Sequence, residues 1–407
     1  MMLPTRSLVS DSQAKSHHSL FERRARRYAR ERQSLTIVQL LDFRPQVCRS
    51  MDIFLLRLAE LLRGRGWQTV HIFSGDPSES FRARLEELES PYHLTQFPIN
   101  WARARELARL IRPYSPEMIQ TTFMSAFNPA LWWLKWATHA QYWVVADHSS
   151  GACSPKKGFK RLATNARGAM AGRVIDRVVA VSDFVARRDI EQNMLPRNTV
   201  TTIYNGVDTQ RFRTDGDRCT KNGVLTIVFV GQLIPEKGVD LLIEAVRRIS
   251  ARTDQRHFLK VAGAGHQRSA LERLAAEVLP GQVEFLGQVE DVPTLFRSAD
   301  LAVFPSRWEE AFGLVVAEAM ACGIPVVASD AGGIPEVVGH DGRVGLVFRN
   351  GDVEDLERQI RYLITDPERR ARMGQAARER AEREFSIQRM VEQYVSLYEE
   401  LALGTEQ

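Results

Sequence analysis

Cysteine is scarce in this 407-residue chain: Cys48, Cys153, Cys219 and Cys322 stand far apart, with no C-x-x-C and no His pair at metal-ligand spacing. That argues against a disulfide framework and a zinc site, and a reducing cytoplasm is the expected compartment. Long apolar runs are missing too. No window approaches the roughly 18 uninterrupted apolar residues of a membrane span, and the N-terminal stretch of Ser, His and Arg lacks the apolar segment of a signal peptide, so neither is expected. A third absence concerns glycine. GAG (263–265) follows an apolar run, but Arg268 holds the place of the third glycine of a dinucleotide fingerprint, which leaves a Rossmann dehydrogenase unsupported. The acidic D-x-D string, Asp215 and Asp217, falls in a polar linker and not after a strand, so it reads as a solvated loop, not a metal site.

What is present is a globular composition, 44% hydrophobic and 26% charged, on a chain long enough for two domains. The formal charge is +5 and the pI about 9.1. Its distribution matters more than its sum. Residues 1–33 hold eight basic groups and three acids, residues 34–215 hold 24 and 17, and residues 216–407 hold 23 and 30. A basic half faces phosphate or acidic lipid, or is merely a basic solvated surface, and nucleic acid is not the expected partner. In the tail, Phe21, Ala25, Tyr28 and Ala29 form a thin apolar stripe among arginines. It reads as a disordered solvated tail or as a surface helix drawn to anionic lipid.

From Leu35 short apolar runs alternate with longer periodic ones, the pattern of parallel strands linked through helices. The strands expected in the first half are 35–41, 69–73, 117–122, 142–148, 176–182 and 200–206, with helices at 51–63 and 102–112. The polar, Gly-containing stretch after Gly206 marks a domain boundary. Strands then recur at 225–231, 258–265, 283–287, 300–306 and 324–330, with a helix from about Gly238, and the last 40 residues are helical. The expected fold class is α/β, two doubly wound Rossmann-like domains facing across a cleft. Its parts are the tail 1–33, domains 34–210 and 211–384, and a final helix 385–407 packing back toward the first domain. Ligands of such sheets sit beyond the carboxyl ends of the strands.

The informative motifs follow strands of the second half. In GQLIPEKG (231–238), Gly231 permits close backbone approach, Lys237 carries a point charge, and the next helix aims its free amides at an anion; an ordinary helix cap is the alternative. Glu310 and Glu318 stand eight residues apart, a spacing repeated at 79/87, 236/244, 384/392 and 392/400, so spacing alone says nothing. Their frame does. Residues 305–336 run strand, acid, Gly at a helix start, second acid about two turns into the helix, strand, then Gly332 and Gly333. Carboxylates accept from hydroxyls and repel phosphate, so Glu318 suits a ribose diol and Glu310 a sugar, while the amides of Phe312, Gly313 and Leu314 suit a diphosphate between them.

NGVDTQRF (205–212), GQLIPEKG, VAGAG (261–265), VEFLGQV (283–289), ADLAVFPS (299–306) and EAFGLVVAEAMACGIPVVASDAGGIPEVV (310–338) run in order over about 130 residues. This half resembles the nucleotide-sugar-binding domain of the retaining family 4 glycosyltransferases, which have the GT-B fold. The resemblance implies that Glu318 holds the ribose, that Glu310 and the 312–314 backbone hold the transferred sugar, and that Lys237 meets the diphosphate. Gly231, Gln232, Gly263 and Val315 complete the donor set it implies. It also implies same-face attack with no metal and no cofactor beyond the nucleoside-diphosphate sugar itself. ADHSSG (146–151) resembles the family segment that carries a histidine near the reacting carbon, which gives His148 a catalytic place; capping the strand is the alternative.

Two departures stand out. Gln232 occupies the position where the family has Arg, and 40–51 lacks the family's glycine-rich opening turn. Arg44 and Arg49 in that opening loop are candidates for an anionic acceptor, as is the run Lys156, Lys157, Lys160 and Arg161. Ser182 matches a family string but suits a helix cap better. The expected activity is sugar transfer from a nucleoside diphosphate to a glycan, lipid-linked glycan or glycolipid, in the cytoplasm or at the inner membrane face. The competing readings are a nucleotide-sugar epimerase or hydrolase on the same fold and a non-catalytic nucleotide-sugar-binding partner.

Overall fold

The computed structural model describes residues 35–46, 50–151, 158–214 and 223–403. The expectations for the tail 1–33, Cys48, Arg49, Cys153, Lys156, Lys157, Asp215, Asp217 and Cys219 lie outside these residues.

The first half runs β1 (Thr36–Leu41), α1 (Ser50–Arg63), β2 (Gln68–Phe73), α2 (Glu79–Glu87), β3 (Tyr92–Leu94), α3 (Trp101–Ile111), β4 (Met118–Thr122), α4 (Pro129–Thr138), β5 (Tyr142–Asp147), α5 (Phe159–Ala171), β6 (Arg177–Ala180), α6 (Asp183–Glu191) and β7 (Val200–Thr202). The strands form one parallel sheet in the order β3-β2-β1-β4-β5-β6-β7. β1 is buried along its whole length, as a central parallel strand covered on both faces must be. One face carries α1 and α2, whose Phe54, Leu58, Phe81 and Leu85 share a core. The other carries α3 and α4, with Leu107, Ile111, Leu131 and Leu134.

The second half repeats the design with β8 (Leu225–Val230), α7 (Val239–Ser250), β9 (His257–Ala262), α8 (Arg268–Val278), β10 (Val283–Gly287), α9 (Val292–Arg297), β11 (Leu301–Phe304), α10 (Leu314–Ala321), β12 (Val326–Ser329), α11 (Ile334–Val338) and β13 (Gly345–Phe348), followed by α12 (Val353–Ile364) and α13 (Pro367–Glu384). The order is β10-β9-β8-β11-β12-β13, again parallel. Strand order therefore reverses between β1 and β4 in one sheet and between β8 and β11 in the other, which opens a crevice at the carboxyl edge of each.

The last helix, α14 (Ile387–Leu403), does not stay with the second sheet. Val207 and Ser386 form a parallel bridge, with the Val207 amide donating to Phe385 O (2.7 Å) and the Ile387 amide to Val207 O (2.9 Å). From there Met390, Val391, Tyr394 and Tyr398 enter the core of α1 and α2. Burying an apolar side chain of this size contributes about 1.5–3 kcal/mol. Tyr398 also donates its hydroxyl to Gln120 Oε1 inside the sheet.

Several strands are shorter than their apolar runs. The run 176–182 leaves the sheet after Ala180 because Ser182 caps α6, and 200–206 leaves after Thr202 because Val207 is committed to Ser386. Glu318 is the fifth residue of α10, just over one turn in and not two, because the helix starts only at Leu314.

Candidate active site

Loops after β8 and β11 meet at the crevice of the second sheet. The segment after β8 makes a single tight turn, Pro235–Lys237, and Gly238 then starts α7 at φ +66°, where a Cβ would lie 2.1 Å from Pro305 O. Only glycine fits that approach. It brings Lys237 against the β11 loop, where Nζ donates to Glu310 Oε1. Ser306 Oγ donates to the same carboxylate oxygen at 2.9 Å. The backbone of Glu310 is fixed separately: it bridges Gly332, and the Gly333 amide donates to its carbonyl at 2.8 Å. Gly332 lies at φ +65° with Glu310 O only 2.3 Å from where a Cβ would be.

Gly313 caps α10 at φ +94°. The amides of Val316 and Ala317 both donate back to Gly313 O (3.0 and 3.2 Å), which puts those of Leu314 and Val315 at the open, positive end of the helix. Phe312 is buried, stacked edge-on against Phe385 at 5.4 Å, and serves the core. Glu318, one turn along, accepts from Ser50 Oγ at 3.2 Å. Burial pushes its carboxyl up to about 7, opposed by the Ser50 hydrogen bond and the Arg211 charge.

Gly231 and Gly263 are joined by backbone. A Cβ on Gly263 would sit 1.8 Å from Gly231 O, the Leu233 amide donates to Ala264 O (2.9 Å), and Gly231 donates to Ala262 O (3.0 Å). The two loops after β8 and β9 are thus zipped, and this close approach accounts for both glycines of GAG, since a Cβ on Gly265 would lie 2.2 Å from Leu233 O. Gln232 is exposed at this rim.

In the first half His148 follows β5, half-buried, its ring 4.8 Å from Phe123. Desolvation lowers it to about 4, with the Asp147 carboxylate pulling the other way, so the imidazole is neutral at pH 7. The loop beyond it is stitched to the Glu310 loop: Gly151 donates to Glu309 O at 2.6 Å, and the Ala311 amide donates to Ser150 Oγ at 3.1 Å. Ser182, which accepts from Val185 N as the cap of α6, also donates to Ala311 O at 2.5 Å. His148 therefore belongs to a segment held directly against the acid loop. Arg44 is exposed, and its Nε donates to Asp76 O at 2.9 Å.

Beneath His148 lies a cavity of about 490 Å3 lined by Phe123, Phe127, Val145, Asp147, Arg188 and Asp189, among others. Arg188 holds its wall, donating to Ser149 O (2.8 Å) and Asp147 Oδ2 (3.2 Å). Asp189 is 2% exposed, and burial together with the Asp147 charge raises it to about 8, against Asn193 and Arg188. Sequence reading missed this wall. Arg188 and Asp189 come from a helix that capping marked only as structural, and Phe123 owes its place to a backbone at φ +63° that no pattern announces. Among the described residues no group of three or more His, Cys, Asp or Glu side chains is gathered as a metal site, and no helix is long and apolar enough to cross a membrane.

Two parallel sheets with reversing strand order, closed by a helix that returns to the first, define the GT-B architecture of glycosyltransferases. Solved structures agree at the level of fold. A glycosyltransferase from Rickettsia africae superposes with a TM-score of 0.73 at 19% identity, over 92% of this chain and 100% of that one. Anabaena HepE in complex with UDP gives 0.71 at 22% identity, over 89% and 99%. Residues 51–211 match the family model Glycosyltransferase Family 4, and residues 217–380 match Glycosyl transferases group 1. The chain belongs to the family 4 glycosyltransferases. Its relatives include an uncharacterized glycosyltransferase of Methanocaldococcus jannaschii, 31% identical over 56% of this chain and 60% of that one. Another is the GDP-mannose-dependent monoacylated alpha-(1-6)-phosphatidylinositol monomannoside mannosyltransferase of Corynebacterium glutamicum, 34% identical over 56% and 62%. The matches thus span about 60% of the length of these curated relatives.

Proposed function

We propose that the chain is a retaining, metal-independent glycosyltransferase that moves a sugar from a nucleoside diphosphate to a glycan, lipid-linked glycan or glycolipid acceptor at the cytoplasmic side of a membrane. The observation that carries this reading is the meeting of Lys237, Glu310, Ser306 and the start of α10 at the switch point of the second sheet, with the His148 loop bonded to the acid loop. In this reading the donor diphosphate lies at the open amides of Leu314 and Val315 and takes Lys237 as its cation. Negative charge grows on the departing phosphate as the bond to the sugar breaks, and a fixed cation and helix dipole stabilise it without reorganisation. Glu310, tethered through its backbone, accepts from sugar hydroxyls. Glu318 accepts from the ribose diol. Neutral His148 offers a hydrogen bond at the sugar without adding charge beside the reacting carbon, and the cavity beneath it is where the acceptor enters.

HepE bound to UDP and to UDP-glucose, and a relative named for GDP-mannose and a phosphatidylinositol mannoside, support a nucleotide-sugar donor and a lipid-borne acceptor. The test is thermal stabilisation of the protein by a panel of nucleoside diphosphates and their sugars, since a ligand of the folded state raises its apparent stability. At least one member is expected to stabilise the wild type and to fail with Glu318→Ala. Donor-dependent turnover by a folded Glu318→Ala protein at the normal rate would remove the assignment.

A further inference from the structure

We propose that the outer face of α3, α4 and α5 docks on an anionic lipid surface. This goes beyond the transferase reading, because it requires neither donor nor acceptor to be bound.

These three helices, with α6 beside them, cover one face of the first sheet. The sequences of α3, α4 and α5 contain seven basic residues and a single acid, Glu106. The elements packed on the opposite face, α1, α2 and α14, contain five basic residues and eight acids. With α6, which packs on the same face as α3, α4 and α5 and adds two basic residues and three acids, the count there is nine against four, so the basic excess of these helices is one-sided. Its outward residues follow helical spacing: Trp101, Arg105 and Arg109 stand four apart on α3, all exposed. α4 adds Trp136, 72% exposed, and Trp133, whose ring meets Trp101 edge-on at 6.5 Å. α5 adds Leu162 at 64% and Met170 at 53% exposure. The helices form one layer: Leu107, Leu134 and Ala171 share a core, and the Arg167 guanidinium lies 4.3 Å above the ring of Phe127.

Tryptophan beside arginine is what a lipid headgroup region selects, since the ring is apolar with one polar edge and the cation meets phosphate. A second copy of the chain fits poorly, because two such faces would bring like charge together. Single-stranded nucleic acid could stack on the tryptophans but would leave the exposed Leu162 and Met170 uncovered, so it accounts for less of this face than lipid does. The placement also links surface and site. Phe127 lines the cavity under His148, and Arg167 of the docking face covers that ring. A headgroup acceptor held at this face would therefore lie beside the cavity mouth.

The experiment is flotation of the full chain with vesicles of phosphatidylcholine alone and of phosphatidylcholine with phosphatidylglycerol. Binding is expected only to the anionic vesicles and is expected to weaken as salt rises. Each basic residue near such a surface strengthens binding about fivefold, so Arg105→Glu with Arg109→Glu is expected to weaken it at least about thirtyfold. Trp136→Ser, a change at an exposed site, is expected to weaken it severalfold with unchanged circular dichroism. Equal binding to both vesicle types, or undiminished binding by the double charge reversal, overturns the proposal. So does salt-sensitive capture of an RNA oligomer or self-association in place of vesicle binding. Nucleotide-dependent thermal stabilisation is measured on the same proteins. A chain that binds vesicles but no nucleotide removes the transferase reading alone, and one that binds nucleotide but no anionic vesicle removes this surface alone.

Discussion

Lys237 Nζ and Glu310 Oε1 are joined as an ion pair that closes the second sheet's switch point, although 73 residues separate them. In the proposed reaction a diphosphate competes with that carboxylate for the lysine, so the pair keeps the cation in place before the donor arrives. Lys237→Met is expected to lower kcat by about 10²–10³-fold, the scale for losing one fixed stabiliser of transition-state charge. Steady-state kinetics with saturating donor checks this, and a change confined to KM would assign Lys237 to ground-state binding.

Glu318 gives a pH signature. Its folded pKa of about 7 lies above the ordinary 4.5, so the folded protein holds this proton more tightly than the unfolded chain. Stability from this group is therefore intact below pH 4.5 and declines as pH rises toward 7 and beyond, by about 3 kcal/mol at most. Glu318→Gln is expected to match the wild type at pH 4.5 and exceed it at pH 8. Urea denaturation of both proteins at the two pH values reads the difference.

Ser182 bonds in two directions, capping α6 and holding Ala311 O from the opposite half. Ser182→Ala is expected to cost about 2–3 kcal/mol, roughly 1 for the cap and the remainder for a buried carbonyl left without its donor. Because Ala311 follows Glu310, turnover is expected to fall as well. Denaturant midpoints and turnover measured together check both effects.

Gly332→Ala places a methyl 2.3 Å from Glu310 O at a backbone φ of +65°. Turnover is expected to drop at least about tenfold, because a catalytic group moved by a fraction of an ångström loses its geometry. Gly351→Ala is the control: its φ is +78° but nothing lies within 4 Å, so it is expected to lose some stability and keep its turnover.

The fold was legible wherever apolar runs were long and continuous, as in β1, β2, β8 and β9. Several helices were not read, α2 and α4 among them. α2 buries only Phe81 and Leu85, too few for a period, and the tryptophans of α4 hide its polar face. The short strand β13, Gly345–Phe348, has no alternation to mark it. At the site, each second-half motif carries its own local geometry because its glycines lie within a few residues of the lysine or the acid, as Gly238 does of Lys237 and Gly313 of Glu310. Ser50 reaching Glu318 and Ser150 reaching Ala311 span 268 and 161 residues, and no local pattern encodes them.

The return of α14 has a consequence for synthesis. Met390, Tyr394 and Tyr398 complete the core that α1 and α2 begin, so the first half cannot close that core until the chain through Tyr398 has left the ribosome. The second sheet and its own core can form while the first still waits. A fragment ending at residue 214 is then expected to expose the apolar sides of α1 and α2 and to aggregate, whereas supplying residues 385–407 as a separate peptide is expected to restore its solubility.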